Sequence, residues 1–174
     1  LAETPTDVWD RCYNINARAP FILIRQALDL LLAAPRGFII NIASVMAVKA
    51  YPRQGAYAAS KHALRGMTKA LAQELQPTNV TAHLFFSDGV DTEMIKTARP
   101  ELDPENLMLP EEIAELVMLI ISHKGRGILD ELRIRRKGRT IPDPNDEYLI
   151  YQTLLGALPF EESEHDDFRR RLKE

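Results

Sequence analysis

Apolar and polar positions along this chain fall into blocks of two periods, helical and extended, that follow one another in alternation. The first block has helical spacing from about residue 5 to 33, and Thr4-Pro5-Thr6-Asp7 at its start offers an N-cap, a proline in the first turn and an acid at the third position. Pro20 is expected to bend this helix, because it lacks an N–H and its ring crowds the preceding turn. The later part, Phe21 to Ile24 and Leu28 to Leu32, is apolar on nearly every face, which predicts burial on two sides, by the sheet on one and a partner subunit on the other. The unbroken run Phe38-Ile39-Ile40-Asn41-Ile42-Ala43 reads as a buried strand. A helix near 55–76 follows, then a second strand from Val80 to Phe86.

A segment rich in prolines and acids leads to Pro110-Glu111-Glu112, which starts a third helix with negative charge at its N-terminal end. His123, Lys124 and Gly125 close that helix with positive charge and a C-cap candidate. Between Ile128 and Arg135, Leu132 and Ile134 alternate with charged residues, the pattern of a strand at or near a sheet edge. Strands separated by helices predict an α/β protein with a parallel sheet. Residues 1–141 are expected to form this domain and 142–174 an extension. In the extension, Pro142 to Asp146 is a linker, Glu147 to Leu158 a short helical pattern, and Glu161 to Glu174 a charged tail.

Composition narrows the classes. At 174 residues the chain suits one domain. A net charge of -3 with 27% charged residues speaks against a nucleic-acid footprint, and no apolar run approaches the ~20 residues of a membrane span. The single cysteine, Cys12, excludes an internal disulfide framework and suits a reducing compartment, so a cytoplasmic location is expected. His62, His83, His123 and His165 have no zinc-ligand spacing, and no metal is expected.

The chemistry concentrates in one short stretch. Tyr57 and Lys61 are four apart in a predicted helix and so stand one above the other on the same face, a phenol beside an ammonium. A cation within ~4–6 Å favours phenolate, so Lys61 is expected to lower the Tyr57 pKa and make it a general acid/base. Ser44 lies at the end of the first predicted strand, and the C-terminal ends of such strands are where open α/β sheets hold ligands. Its hydroxyl would hold a substrate oxygen near Tyr57. A Ser-His-Asp set can be written from Ser44, His62 and Asp88, but no Gly-x-Ser-x-Gly elbow surrounds Ser44.

Asn41-Ile42-Ala43-Ser44 followed by Tyr57-Ala58-Ala59-Ser60-Lys61 resembles the catalytic segment of the short-chain dehydrogenase/reductase family. Matches extend over roughly residues 4 to 136. The resemblance implies a partial Rossmann-type doubly wound parallel sheet, the last strands of that fold with their flanking helices. It implies NAD(H) or NADP(H) as cofactor and a small-molecule carbonyl or alcohol as substrate, with Ser44, Tyr57 and Lys61 catalytic and Tyr57 and Lys61 also touching the cofactor.

Tyr13-Asn14-Ile15-Asn16-Ala17-Arg18 looks like the family's central helix, whose asparagine distorts the helix and holds a water in the proton relay, so that role passes to Asn16. Ser87-Asp88-Gly89-Val90-Asp91-Thr92 resembles the family's Pro-Gly-x-Val-x-Thr loop, which implies cofactor contact at Val90 and Thr92. Ser87 and Asp88 stand where the family usually has Pro and Gly, which puts a carboxylate near a phosphate site. The family also implies pairing into a homodimer or homotetramer through helices 5–33 and 55–76.

The glycine-rich turn that opens the family's fold is not found. Gly125-Arg126-Gly127 lacks the helix and third glycine that the fingerprint requires. The chain is therefore expected to be the C-terminal catalytic half of a longer enzyme. A different class of reading remains beside it, a catalytically silent remnant that acts as a self-associating structural module.

Overall fold

The computed structural model describes residues 1–136. Strands β1 (Gly37–Ile42), β2 (Val80–Ser87) and β3 (Glu131–Ile134) form one parallel sheet in the order β1-β2-β3. The parallel α/β sheet expected from the alternation of strand and helix signals is the one observed. β2 is central, and Val80, Ala82, Leu84, Phe85 and Phe86 are all buried, as the continuous apolar run of a strand covered on both faces requires. β3 lies at the edge that its charged alternation predicted. The outer edge of β1 has no partner strand among the described residues.

The predicted helix over 5–33 is a single helical run of three parts: α1 (Thr6–Tyr13), a π-helical turn at Asn14–Arg18, and α2 (Ala19–Ala33). The distortion sits just before Pro20. The Ala19 N–H reaches back to the Asn14 carbonyl, and Pro20 has no N–H to offer Asn16, so the ordinary α register fails at this point. The N-cap is Pro5, with no side-chain hydrogen bond, which corrects the assignment to Thr4. The backbone N–H of Thr4 bonds the Leu1 carbonyl instead.

Within the chain, α2 buries one side, against the sheet. Ile24, Leu28 and Leu31 pack on Ile39, Leu75, Val80 and Ala82, whereas Leu23 and Leu30 are 69% and 76% exposed. Gly37 is where α2, β1 and β2 converge. A Cβ there would stand 2.8 Å from Val80 Cγ2 and 3.0 Å from the Leu31 carbonyl oxygen, so only glycine fits.

Helix α3 (Gly55–Glu74) covers one face of the sheet, with Leu64 against Ala43, Ala47, Leu84 and Phe86. Asn41 faces this apolar layer from β1, and its amide is satisfied by Thr68 Oγ1 at 2.8 Å, which in turn donates to the Leu64 carbonyl. Arg65 forks onto Glu131 with two 3.0 Å hydrogen bonds and ties α3 to β3. A short helix α4 (Glu93–Ala98), not foreseen from sequence, follows the loop after β2.

Helix α5 (Pro110–Ser122) has the predicted polarity, with the Glu112 carboxylate accepting from the Leu109 N–H. It stops at His123, whose backbone is extended, so His123 and not Gly125 is the C-cap. No described helix is long and apolar enough to cross a membrane. The expectations for the linker, short helix and tail of 142–174 lie outside the described residues.

Candidate active site

The site forms where β1 ends. Ser44 caps a single 3₁₀ turn (Val45–Ala47), its Oγ accepting from the Met46 N–H at 3.2 Å, and this fixes the hydroxyl at the carboxyl end of the strand. Tyr57 stands in the first turn of α3, and its phenol lies near enough to the Ser44 side chain for that hydroxyl to favour phenolate. Lys61 follows one turn later. Its Nζ lies 5.7 Å from the centre of the Tyr57 ring and donates to the Ile42 carbonyl at 3.3 Å. The Asn41–Thr68 bond holds β1 and α3 in the alignment that lets Ser44 and Tyr57 meet.

Asn16 reaches the same place from the π turn. Its Nδ2 donates to Ser60 Oγ at 3.0 Å, and Ser60 Oγ donates to the Tyr57 carbonyl at 2.8 Å. Asn16 is thus tied through Ser60 to the backbone of Tyr57, while Ser44 stands near the phenol and the Lys61 ammonium beside the ring.

Val90 and Thr92 lie on the loop after β2, at the same carboxyl edge of the sheet. Val90 forms a parallel bridge with Met108, and the Thr92 hydroxyl caps α4 by accepting from the Ile95 N–H. Asp88, on the same loop, accepts from the Gly89 N–H and stands 3.5 Å from Arg136 Nε.

The electrostatics correct one expectation. Burial raises the Tyr57 phenol above its ordinary value of 10.0; the Ser44 hydroxyl acts in the opposite direction, and Cys12 adds to the rise. The expected net lowering by Lys61 does not occur. Desolvation dominates, and the ammonium hydrogen-bonds the Ile42 carbonyl. Lys61 is itself pushed below 10.5 by burial. A phenol shifted upward stays protonated at neutral pH, which suits it to give a proton rather than to take one.

Two contributors escaped the sequence reading. Ser60 is fully buried and joins Asn16 to Tyr57; its signal was its position three residues after Tyr57, where its hydroxyl can turn back onto the Tyr57 carbonyl. Cys12 acts on Tyr57 across 45 positions of sequence, and no local pattern announces such a long-range approach.

The family model for short chain dehydrogenase matches residues 1–103. A short-chain type dehydrogenase/reductase from Picea abies is 35% identical over 137 residues, which are 74% of this chain and 51% of that protein. A short chain dehydrogenase from Shigella flexneri solved with NADP superposes with a TM-score of 0.71 at 30% identity, over 76% of this chain and 55% of that one. 4-Hydroxyisoleucine dehydrogenase solved with NADH gives a TM-score of 0.65 at 28% identity, over 77% and 60%. The chain spans about half the length of the curated relatives it matches. With the family model covering more than half of its residues and the parallel sheet superposing on solved members, the chain belongs to the short-chain dehydrogenase family.

Proposed function

We propose that this chain supplies the catalytic centre of an NAD(P)(H)-dependent oxidoreductase that interconverts a small carbonyl compound and its alcohol. The observation that carries the reading is that Ser44, at the carboxyl end of a parallel strand, lies near enough to the Tyr57 phenol for its hydroxyl to favour phenolate, with the Lys61 ammonium 5.7 Å from the centre of the tyrosine ring. Such an edge is where open α/β sheets receive ligands. The NADP-bound and NADH-bound relatives support the choice of cofactor.

The residues present fit a nicotinamide dinucleotide. Lys61 has three N–H donors, and the Ile42 carbonyl takes one, so its ammonium can also hold ribose hydroxyls. Val90 and Thr92 would line the nicotinamide and pyrophosphate from the loop after β2. When bound, the cofactor supplies hydride transfer at the carbonyl carbon.

In the reductive direction Tyr57 gives its proton to the developing alkoxide, and Ser44 hydrogen-bonds the same oxygen and holds it in reach. The raised phenol favours this direction at neutral pH. Lys61 keeps positive charge beside the phenol as its proton leaves, and Asn16, placed by the π turn, completes the proton path through water. Cytoplasmic action and pairing through the helices over 5–33 and 55–76 complete the proposal.

The exposed apolar side chains Phe21, Leu23 and Leu30 on α2 favour a second reading, a self-associating structural module without turnover. Separate NADH and NADPH fluorescence titrations of the intact protein, followed by carbonyl-dependent consumption of the bound cofactor, distinguish the two. Saturable binding with consumption supports the enzyme; association without binding supports the module.

A further inference from the structure

Asp88 and Arg136 are placed by the sheet itself. They follow the carboxyl ends of β2 and β3, which pair Ser87 with Ile134, and the Asp88 N–H continues the ladder to the Ile134 carbonyl at 3.2 Å. The carboxylate is therefore fixed by backbone at both sides, since its Oδ1 also accepts from the Gly89 N–H at 2.9 Å. Its side chain is 8% exposed. A carboxylate held at the edge where an open sheet receives ligands opposes any anionic ligand there.

Arg136 answers that charge. Its Nε stands 3.5 Å from Asp88 Oδ2, and the Arg136 side chain is 19% exposed. That Nε is buried and makes no hydrogen bond among the described residues. The contact is one of charge without a directional bond, and a buried donor is left over. Buried donors are almost always satisfied, so an orphan at a ligand-bearing edge points to an acceptor absent from the protein alone. Gly89 packs closely beside the pair, since a Cβ there would stand 2.9 Å from Leu107 Cδ2 and at ordinary contact distance, 3.6 Å, from Arg136 Nε.

We propose that Asp88 and Arg136 form a charge-balancing pair at the ligand edge, in which Arg136 compensates the fixed carboxylate and offers its guanidinium to a phosphate of the dinucleotide. This rests on the cofactor reading above. The pair sets affinity for the phosphate-bearing part of the ligand, so the two residues act with opposite signs: Asp88 weakens binding and Arg136 strengthens it. A tie that only held β2 to β3 would make both residues stabilising and neither selective for charge.

The test is fluorescence titration of the intact protein with NADPH and NADH, at low and high salt, for the wild type, Arg136→Gln, Asp88→Asn and the double variant, with thermal melts alongside. Arg136→Gln should weaken binding by about tenfold, Asp88→Asn should tighten it by about threefold, and the double variant should fall between them. Both responses should shrink at high salt. Single variants that shift affinity in the same direction, or leave it unchanged while the melting temperature falls, overturn the proposal and leave the cofactor reading intact. A wild type that binds neither dinucleotide overturns both. If Arg136→Gln fails to fold, the Asp88→Asn arm decides alone, and unchanged or weaker affinity there overturns the proposal.

Discussion

Asn16 and Ser60 are 44 positions apart, and a 3.0 Å hydrogen bond between their side chains makes the π turn and the first turns of α3 one unit. The same Ser60 hydroxyl donates to the Tyr57 carbonyl, so the backbone that carries the phenol is anchored to the distorted helix. A regular α-helix through 14–18 would rotate Asn16 out of this position, because a π turn shifts the face on which each later residue lies.

Ser60→Ala should therefore cost more than the loss of one hydroxyl suggests. It leaves the Asn16 amide without its acceptor and removes a second donor from the Tyr57 carbonyl, in a site where Ser60 is fully buried. An unsatisfied buried group costs about 1–3 kcal/mol, and urea unfolding should show a loss in that range. A change below measurement error would mean that the freed amide finds another partner and that the link does not anchor the phenol.

Thr68→Val should destabilise by a similar amount, about 1–3 kcal/mol, because the Asn41 amide loses its 2.8 Å acceptor under α3. Replacing both partners, Asn41→Leu with Thr68→Val, should recover much of that loss, since no polar group then remains unpaired. A double variant no more stable than Thr68→Val in urea titration would count against this account.

The glycines separate two kinds of site. Gly37→Ala should lower stability by about 1–3 kcal/mol, because the new methyl meets the Leu31 carbonyl and not only flexible side chains. Gly66→Ala in α3 should raise it by about 0.5–1 kcal/mol, since nothing lies within 4 Å and the helix gains a better former. Denaturant midpoints of the two variants, moving in opposite directions, are the check.

The pH dependence follows from the direction of the Tyr57 shift. With the folded value above 10.0, the phenol keeps its proton through neutral pH. Carbonyl reduction, which uses that proton, should hold level as far as Tyr57 is concerned and decline only at pH above 10.0; alcohol oxidation, which needs phenolate, should climb over the same alkaline range. Ser44→Ala removes the one contact that lowers the value, so its inflection should move to still higher pH. Rate profiles in both directions, with saturating cofactor, measure this.

What could be read from the sequence was local. Four-residue spacing placed Tyr57 over Lys61, and a run of apolar residues placed Ser44 at a strand end; both hold in the structure. β3 announced its edge position by alternation, and the helix polarity of α5 came from Glu111 and Glu112. Three features were not local. The sign of the Tyr57 shift depends on how deeply the fold buries the phenol, which no spacing of charges reveals. The π turn was visible as a proline-induced bend at Pro20 and, through the family resemblance, as a helix distortion at Asn16, but its i→i−5 register was not. The approach of Arg136 to Asp88 arises from strand register between β2 and β3, and register is set by packing rather than by either residue.

Tyr57 is assigned the proton that reaches the developing alkoxide in carbonyl reduction. Tyr57→Phe keeps the ring and its packing and removes only the hydroxyl that Ser44 contacts. In the intact protein, single-turnover reduction of a carbonyl by bound NAD(P)H should fall by about a hundredfold or more in this variant, while the dinucleotide Kd stays within about twofold of wild type. Reduction at the wild-type rate, with the dinucleotide bound as tightly, would contradict the account.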